Sequence, residues 1–171
     1  VCIGSVYIQV SRGVHVRDHS YLNMKIKPVL IITTKKNNND FTYLIKPVNL
    51  ISLKDNRWSY PNIKTTQLLP NVLAKTEANK KNAFEAIFYD DQGFVTEGSS
   101  SNVWILTHDN ILMTRGLDGT ILPGITRQAI FSCSKKNNLS VKEQKFTIQD
   151  VYKAKEVFIT SASSFVTPVR K

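Results

Sequence analysis

Four short stretches carry residue types that can do chemistry. Ile63-Lys64-Thr65-Thr66 places a primary amine after an extended Pro61-Asn62 approach and before a helix-like run. An amine freed of its proton is a nucleophile and a proton carrier. Thr96-Glu97-Gly98-Ser99-Ser100-Ser101-Asn102 sets one carboxylate and a stack of hydroxyls between two strands. Leu122-Pro123-Gly124-Ile125-Thr126-Arg127 is a Pro-Gly turn feeding a helix, whose first backbone N–H groups form an anion site. Thr160-Ser161-Ala162-Ser163-Ser164 ends a strand in hydroxyls close to a turn.

Singly, each stretch has an ordinary reading: a solvated lysine, a polar turn, a common helix start, a strand-to-loop exit. Together they supply a lysine nucleophile, a carboxylate and two donor-rich turns able to hold a phosphate. Those are the parts of a pyridoxal phosphate site, which needs a lysine to form the Schiff base, an acidic partner for the ring nitrogen and a phosphate cradle.

The elements that must position these residues read as strands and helices mixed without strict alternation, which favours an α+β fold over a doubly wound sheet. Residues 6–11 alternate around Tyr7, Ile8 and Val10 until Gly13, a strand ending in a turn, and a loop with His15, Arg17 and His19 follows. Residues 27–34 form a β-branched strand, 35–40 a Lys/Asn linker with a domain boundary near Asn38, and 44–53 another strand. From Thr66 the spacing of Leu68, Leu69, Val72, Leu73 and Ala78 predicts a helix, with Pro70 tolerated near its first turn and 79–82 ending it. Residues 84–90 form a strand closed by the turn 90–93, a meander surrounds 96–102, and 102–107 pairs with 111–114. Helix over 125–136, strand over 141–146, a short helix over 148–154 and a strand over 157–161 complete the pattern.

With 171 residues, 42% of them hydrophobic and 21% charged, the chain fits one domain or two small ones of a folded, soluble protein. Disorder, collagen and disulfide-scaffold classes fit poorly. Cys2 and Cys133 stand far apart with no CxxC or Cys/His cluster, so neither a metal site nor a disulfide framework is expected and a reducing cytosol suits the chain. Apolar runs such as Val29-Leu30-Ile31-Ile32 are far too short to span a bilayer, and no signal peptide is visible at the start. The net charge of +10, from 23 basic and 13 acidic residues, raises a nucleic-acid module, which would show steep salt dependence. The densest pairs, Lys35-Lys36, Lys80-Lys81 and Lys135-Lys136, run into asparagines and read instead as solvated loops and helix ends. The chain opens without Met inside a strand-like run and stops after another, so both ends read as cuts through a longer chain.

Ile63-Lys64, Leu68-Leu69-Pro70-Asn71-Val72-Leu73-Ala74-Lys75, Glu85-Ala86, 95–103, 122–127 and Val166-Thr167-Pro168-Val169 are motifs whose order and spacing resemble the fold-type IV pyridoxal-phosphate enzymes over essentially the whole chain. That family comprises branched-chain aminotransferases, D-amino-acid aminotransferases and aminodeoxychorismate lyases. Tyr7-Ile8-Gln9-Val10-Ser11-Arg12-Gly13 followed by Arg17-Asp18-His19 is similar to the D-amino-acid subgroup.

The resemblance implies a mixed β-sheet or barrel with flanking helices, residues 1–38 being the remainder of a small domain and 39–171 a larger cofactor domain truncated at its end. It implies pyridoxal 5′-phosphate as cofactor, a cytoplasmic homodimer, and no metal, nucleic-acid or membrane partner. The implied activity is ping-pong transamination between a D-amino acid such as D-alanine and a 2-oxo acid such as 2-oxoglutarate. A branched-chain L-amino-acid aminotransferase and an inactive truncated remnant stand as alternatives. Lys64 would form the Schiff base and shuttle the proton, beside a family arginine at Arg57, and Glu97 would face the ring nitrogen. Leu122 would pack on the ring, Ser100 and Ser101 would support it, and Gly124, Ile125, Thr126, Ser161 and Ala162 would surround the phosphate. Arg17 and His19 would trap the substrate carboxylate from across a dimer. Ala162 and Phe165 replace a hydroxyl and an acidic residue frequent in the family, so the phosphate contact and the substrate side of the pocket differ there. The family's N-terminal arginine and tyrosine have no counterpart, and its C-terminal helix would follow Lys171.

Overall fold

The computed structural model describes residues 4–20, 25–36 and 46–170. The chain divides into two units, Val1–Asp40 and Phe41–Lys171. The boundary expected near Asn38 and the start of the strand expected over 44–53 lie outside the described residues.

In the first unit, β-branched and aromatic residues form β1 (Gly4–Ser11) and β2 (Val29–Lys36), antiparallel with Ile8 opposite Ile32 and Val10 opposite Leu30. Lys35 and Lys36, expected in a linker, instead remain in the ladder opposite Ser5 and Gly4, because β1 still offers backbone partners there. Val6, Ile8, Val10, Leu30 and Ile32 are exposed.

In the second unit, β3 (Leu50–Lys54) and β4 (Glu85–Tyr89) run parallel with α1 (Leu69–Lys80) between them in sequence, and β5 (Val95–Gly98) returns antiparallel to β4. Among the described residues of the strand expected over 44–53, Val48 makes an isolated bridge with Val169 and continuous strand begins at Leu50. α1 begins at Leu69 rather than Thr66, since Pro70 has no N–H to give and suits only the first turn. Its small residues Ala74 and Ala78 pack against Ala83, Ala86 and Phe88.

The second sheet has five strands in the order β10-β9-β6-β7-β8. These are β6 (Asn102–Leu106), β7 (Ile111–Thr114), β8 (Ser140–Glu143), β9 (Glu156–Ser161) and β10 (Phe165–Pro168), with α2 (Ile125–Lys136) and α3 (Ile148–Lys153) in the connections. All its pairs are antiparallel except β7 with β8, which α2 joins. The strand expected to run to Phe146 stops at Glu143, because Phe146 turns inward. Phe146 packs with Ile87, Val95, Val103, Ile105, Ala154, Val157 and Ile159, residues contributed by both sheets. Each large aliphatic side chain buried there contributes about 1.5–3 kcal/mol. The architecture is α+β, with mixed sheets and helices. Among the described residues no helix is long and apolar enough to cross a membrane.

Candidate active site

Thr96, Glu97 and Gly98 were read from the sequence as part of a polar turn; they belong to strand β5, and the turn proper is 99–101. The strand matters because it carries Glu97 into the protein, where the residue is 5% exposed. A buried carboxylate must be bonded. Oε1 accepts from Arg57 Nη1, while Oε2 accepts from Asn102 Nδ2 at 3.1 Å and from the Leu122 N–H at 3.0 Å. The Asn102 amide also donates to the Leu122 carbonyl at 2.9 Å, so one side chain ties the carboxylate to the loop ahead of α2. Gly124 is required in that loop: a Cβ there would lie 2.3 Å from Asn102 Oδ1.

Arg57 follows β3 and is held on several sides. Its Nε and Nη2 donate to Asp55 Oδ1 and Oδ2 at 2.9 and 2.7 Å, and Nη2 also reaches the Thr120 carbonyl at 3.3 Å. The guanidinium lies over the Phe88 ring, 4.9 Å from its centroid. Burial pushes the Glu97 pKa up to about 7, against the charge and hydrogen bond of Arg57 and the Leu122 N–H, which favour the ionised form. Burial also works to raise Asp55, but its hydrogen bonds from Arg57, the guanidinium charge and the Thr96 hydroxyl outweigh it and hold Asp55 below its ordinary value.

Glu85, on β4, is 1% exposed. Its Oε1 accepts from Ser99 Oγ at 3.0 Å, Ser100 Oγ at 2.9 Å and the Ser100 N–H, and its Oε2 accepts from Ser101 Oγ at 3.0 Å. Here hydroxyls and one amide replace a cation. A Cβ on Gly98 would come within 2.3 Å of Ser101 Oγ and 3.0 Å of Glu85 Oε1, so a glycine permits the clamp. Ser101 is buried with its proton committed to Glu85, whereas Ser100 is exposed.

At α2, Gly124 is the N-cap and no side chain caps the helix, so the first-turn N–H groups at Ile125 and Thr126 have no intrahelical acceptor. Thr126 Oγ1 donates to the Ser161 carbonyl at 2.9 Å, which joins the helix start to the end of β9. Ser161 Oγ in turn accepts from the Ser164 N–H at 3.0 Å, closing the turn that contains exposed Ala162. Leu122 is half-buried and Ile125 exposed.

Lys64 lies between the turn at 60–63 and α1, exposed, and its amine has no hydrogen bond or ion pair among the described residues. Arg17 and His19 belong to the first unit, both exposed in the segment after β1. Hydrogen bonds therefore link Glu97, Leu122 and Gly124's loop into one network, Thr126 and Ser161 into another, and Ser100 and Ser101 into a third. Among the described residues Lys64 is tied to none of them.

Sequence reasoning assigned no role to Asp55, Asn102 or Glu85, although Asn102 and Glu85 stand inside the motifs it singled out. All three had a signal: Glu85 is a charge inside the apolar run Phe84-Glu85-Ala86-Ile87-Phe88, Asp55 stands two positions before Arg57, and Asn102 ends the Thr96–Asn102 polar stretch.

The sequence model of the amino-transferase class IV family matches residues 2–171. D-alanine aminotransferase of Staphylococcus aureus (strain N315) is 40% identical over 168 residues, covering 98% of this chain and 59% of the relative. The chain thus spans under two thirds of that relative's length. Among solved structures, the branched-chain amino acid aminotransferase of Escherichia coli superposes with TM-score 0.75 at 27% identity, over 85% of this chain and 50% of that one. The PLP-bound form of a hypothetical aminotransferase from Mycobacterium tuberculosis reaches TM-score 0.82 at 20% identity, over 97% and 59%, a likeness of fold. With the family match running over nearly its whole length, the chain belongs to the class IV amino-transferase family, and its fold is that of the fold-type IV enzymes.

Proposed function

We infer that the chain works in a pyridoxal-phosphate-dependent aminotransferase that exchanges an amino group between a D-amino acid, such as D-alanine, and a 2-oxo acid, such as 2-oxoglutarate. The observation that carries the reading is Glu97: a carboxylate has about four lone-pair positions, three are filled by Arg57, Asn102 and Leu122, and one is left for a ring N–H. The uncapped start of α2, bracketed by Thr126 and Ser161, fits a phosphate in the same way. Bound there, pyridoxal phosphate would supply a carbonyl that takes up amino groups and a ring that withdraws electrons from the substrate Cα.

The chain's own groups divide the remaining tasks. Glu97 would hold a proton at the ring nitrogen, and burial strengthens that bond by removing competing water. The N–H groups of Ile125 and Thr126 would bind phosphate oxygens, with Gly124, Ser161 and Ala162 around them. Leu122 would cover one ring face, and Ser100 and Ser101 would border the ring. Lys64, without a partner among the described residues, would attack a carbonyl and carry a proton to and from the substrate Cα. Arg17 would bind the substrate carboxylate through paired N–H bonds with His19 as a further donor, from the partner subunit of a homodimer in the cytoplasm. The likeness to D-alanine aminotransferase supports the D-amino-acid reading. The likeness to the branched-chain enzyme supports a second one, an L-specific transamination.

The test is the absorption spectrum of the purified chain with added pyridoxal phosphate, in wild type and Lys64→Ala. We expect a visible band that needs Lys64 and bleaches with D-alanine. Bleaching by L-leucine but not D-alanine would transfer the reading to the branched-chain class, and no Lys64-dependent band would overturn both.

A further inference from the structure

Asp55 is bonded chiefly to a cation that is itself bonded to Glu97. Its side chain is 14% exposed and accepts from the Arg57 N–H at 3.1 Å, Arg57 Nε at 2.9 Å, Arg57 Nη2 at 2.7 Å and Thr96 Oγ1 at 2.8 Å. A guanidinium offers a carboxylate two N–H groups along one edge, and Asp55 occupies the Nε–Nη2 edge of Arg57 with both oxygens. Nη2 also donates to the Thr120 carbonyl, and stacking on Phe88 fixes the plane of the group. What remains for Glu97 is Nη1 alone.

The charges follow from that geometry. Asp55 and Arg57 balance one another, so whenever Glu97 is ionised the three carry one excess negative charge, and it falls on Glu97. The other groups facing Glu97 are the Asn102 amide on β6 and the Leu122 N–H ahead of α2, both uncharged.

We propose that Asp55 is a positioning residue: by holding the Nε–Nη2 edge of Arg57 it limits that guanidinium to one bond with Glu97, and so keeps a lone pair and a net negative charge on Glu97 for a cationic N–H of the ligand. The part concerning the ligand rests on Glu97 being the partner of the cofactor's ring nitrogen; the part concerning Arg57 and Glu97 does not. Without Asp55, Arg57 can turn a two-N–H edge toward Glu97 in place of the single Nη1 bond, and the pair becomes neutral and closed.

Two measurements on the full chain test this. In the cofactor-free protein, the Glu97 side-chain carboxylate is followed by carbon NMR through neutral pH. Asp55→Asn should lower its midpoint by about one pH unit or more, as an uncompensated cation beside a carboxylate does. The Leu122 N–H, which donates to Glu97 Oε2, should keep its protection against exchange. A midpoint that stays put overturns the proposal, and so does one that falls together with loss of Leu122 protection, since that is a loosened pocket. If the Asn variant does not fold, Asp55→Ser keeps an acceptor for the Arg57 N–H and takes its place.

Equilibrium dialysis then compares pyridoxal phosphate with its 1-deaza analogue, in which the ring nitrogen is a C–H. Wild type should prefer the nitrogen ring, and Asp55→Asn should lose about tenfold of that preference. A preference that survives the substitution overturns the proposal. Wild type binding both alike, or neither, overturns the ring-nitrogen reading of Glu97, and the titration then decides the Arg57 part alone.

Discussion

Glu97 and Lys64 are both offered as reactive groups, and the protein treats them in opposite ways. Around Glu97, Arg57, Asn102 and the Leu122 N–H are committed to the carboxylate, and Arg57 is itself pinned by Asp55, Thr120 and Phe88. Around Lys64 no described residue takes the amine. A buried charge has to be satisfied while the chain folds, so the carboxylate is placed before any ligand arrives. An exposed amine carries no such demand. On the proposed reading it would be ordered by the ligand it attacks, with no ion pair among the described residues to break first.

The widest separation between the two regions should come from Lys64→Ala. Loss of the visible band and a fall in transamination of about 10⁴-fold or more are expected, with urea stability moved by less than about 0.5 kcal/mol. A large loss of stability would show the amine to be structural and break the contrast.

The buried region should answer in the opposite sense. Glu85→Ala leaves the Ser99, Ser100 and Ser101 hydroxyls and the Ser100 N–H without their acceptor. Urea unfolding should show a cost of about 3 kcal/mol, and a cost under about 1 kcal/mol would mean that water replaces the carboxylate easily.

A pH titration of stability sharpens the same point at Glu97. Folding raises its pKa from 4.5 to about 7, so the folded state binds this proton more tightly than the unfolded state does. Its contribution is full below 4.5 and is lost as pH rises through about 7. Asp55, lowered from 3.8, runs the other way: its contribution is present above 3.8 and is lost as pH falls through its folded value. The fall in urea midpoint above 4.5 therefore belongs to Glu97 and should flatten in Glu97→Gln. An unchanged profile would show that Glu97 is ionised throughout that range.

The smallest effect is expected where the two styles meet, at the α2 start. Thr126→Val removes the bond to the Ser161 carbonyl and should cost about 1 kcal/mol of stability and about five- to tenfold in pyridoxal phosphate affinity, read by dialysis. Unchanged affinity would remove Thr126 from the phosphate site.

Much of this was legible before any coordinates. The helix over 125–136 has the bounds expected, because its start is marked by Pro123-Gly124 and its end by Lys135-Lys136 before asparagines. Glu97 and the serines stood out because they are contiguous. β5 was hidden in that same run: Glu97 and Gly98 are weak strand signals, and what makes 95–98 a strand is pairing with β4, in which Ile87 lies opposite Gly98. The bonds of Asp55 and Glu85 were illegible for a related reason. Their partners include Thr96, 41 positions from Asp55, and Ser101, 16 positions from Glu85, and no local pattern encodes such distances.

By itself, then, the sequence determined which side chains could react and where most of the strands and helices lie, since both depend on residue type and short-range spacing. The tertiary structure decided the company each reactive group keeps. Burying β4 and β5 strips water from Glu85 and Glu97, and each had to find donors wherever the fold brought them: a serine turn for one, and for the other a guanidinium already held by a second carboxylate.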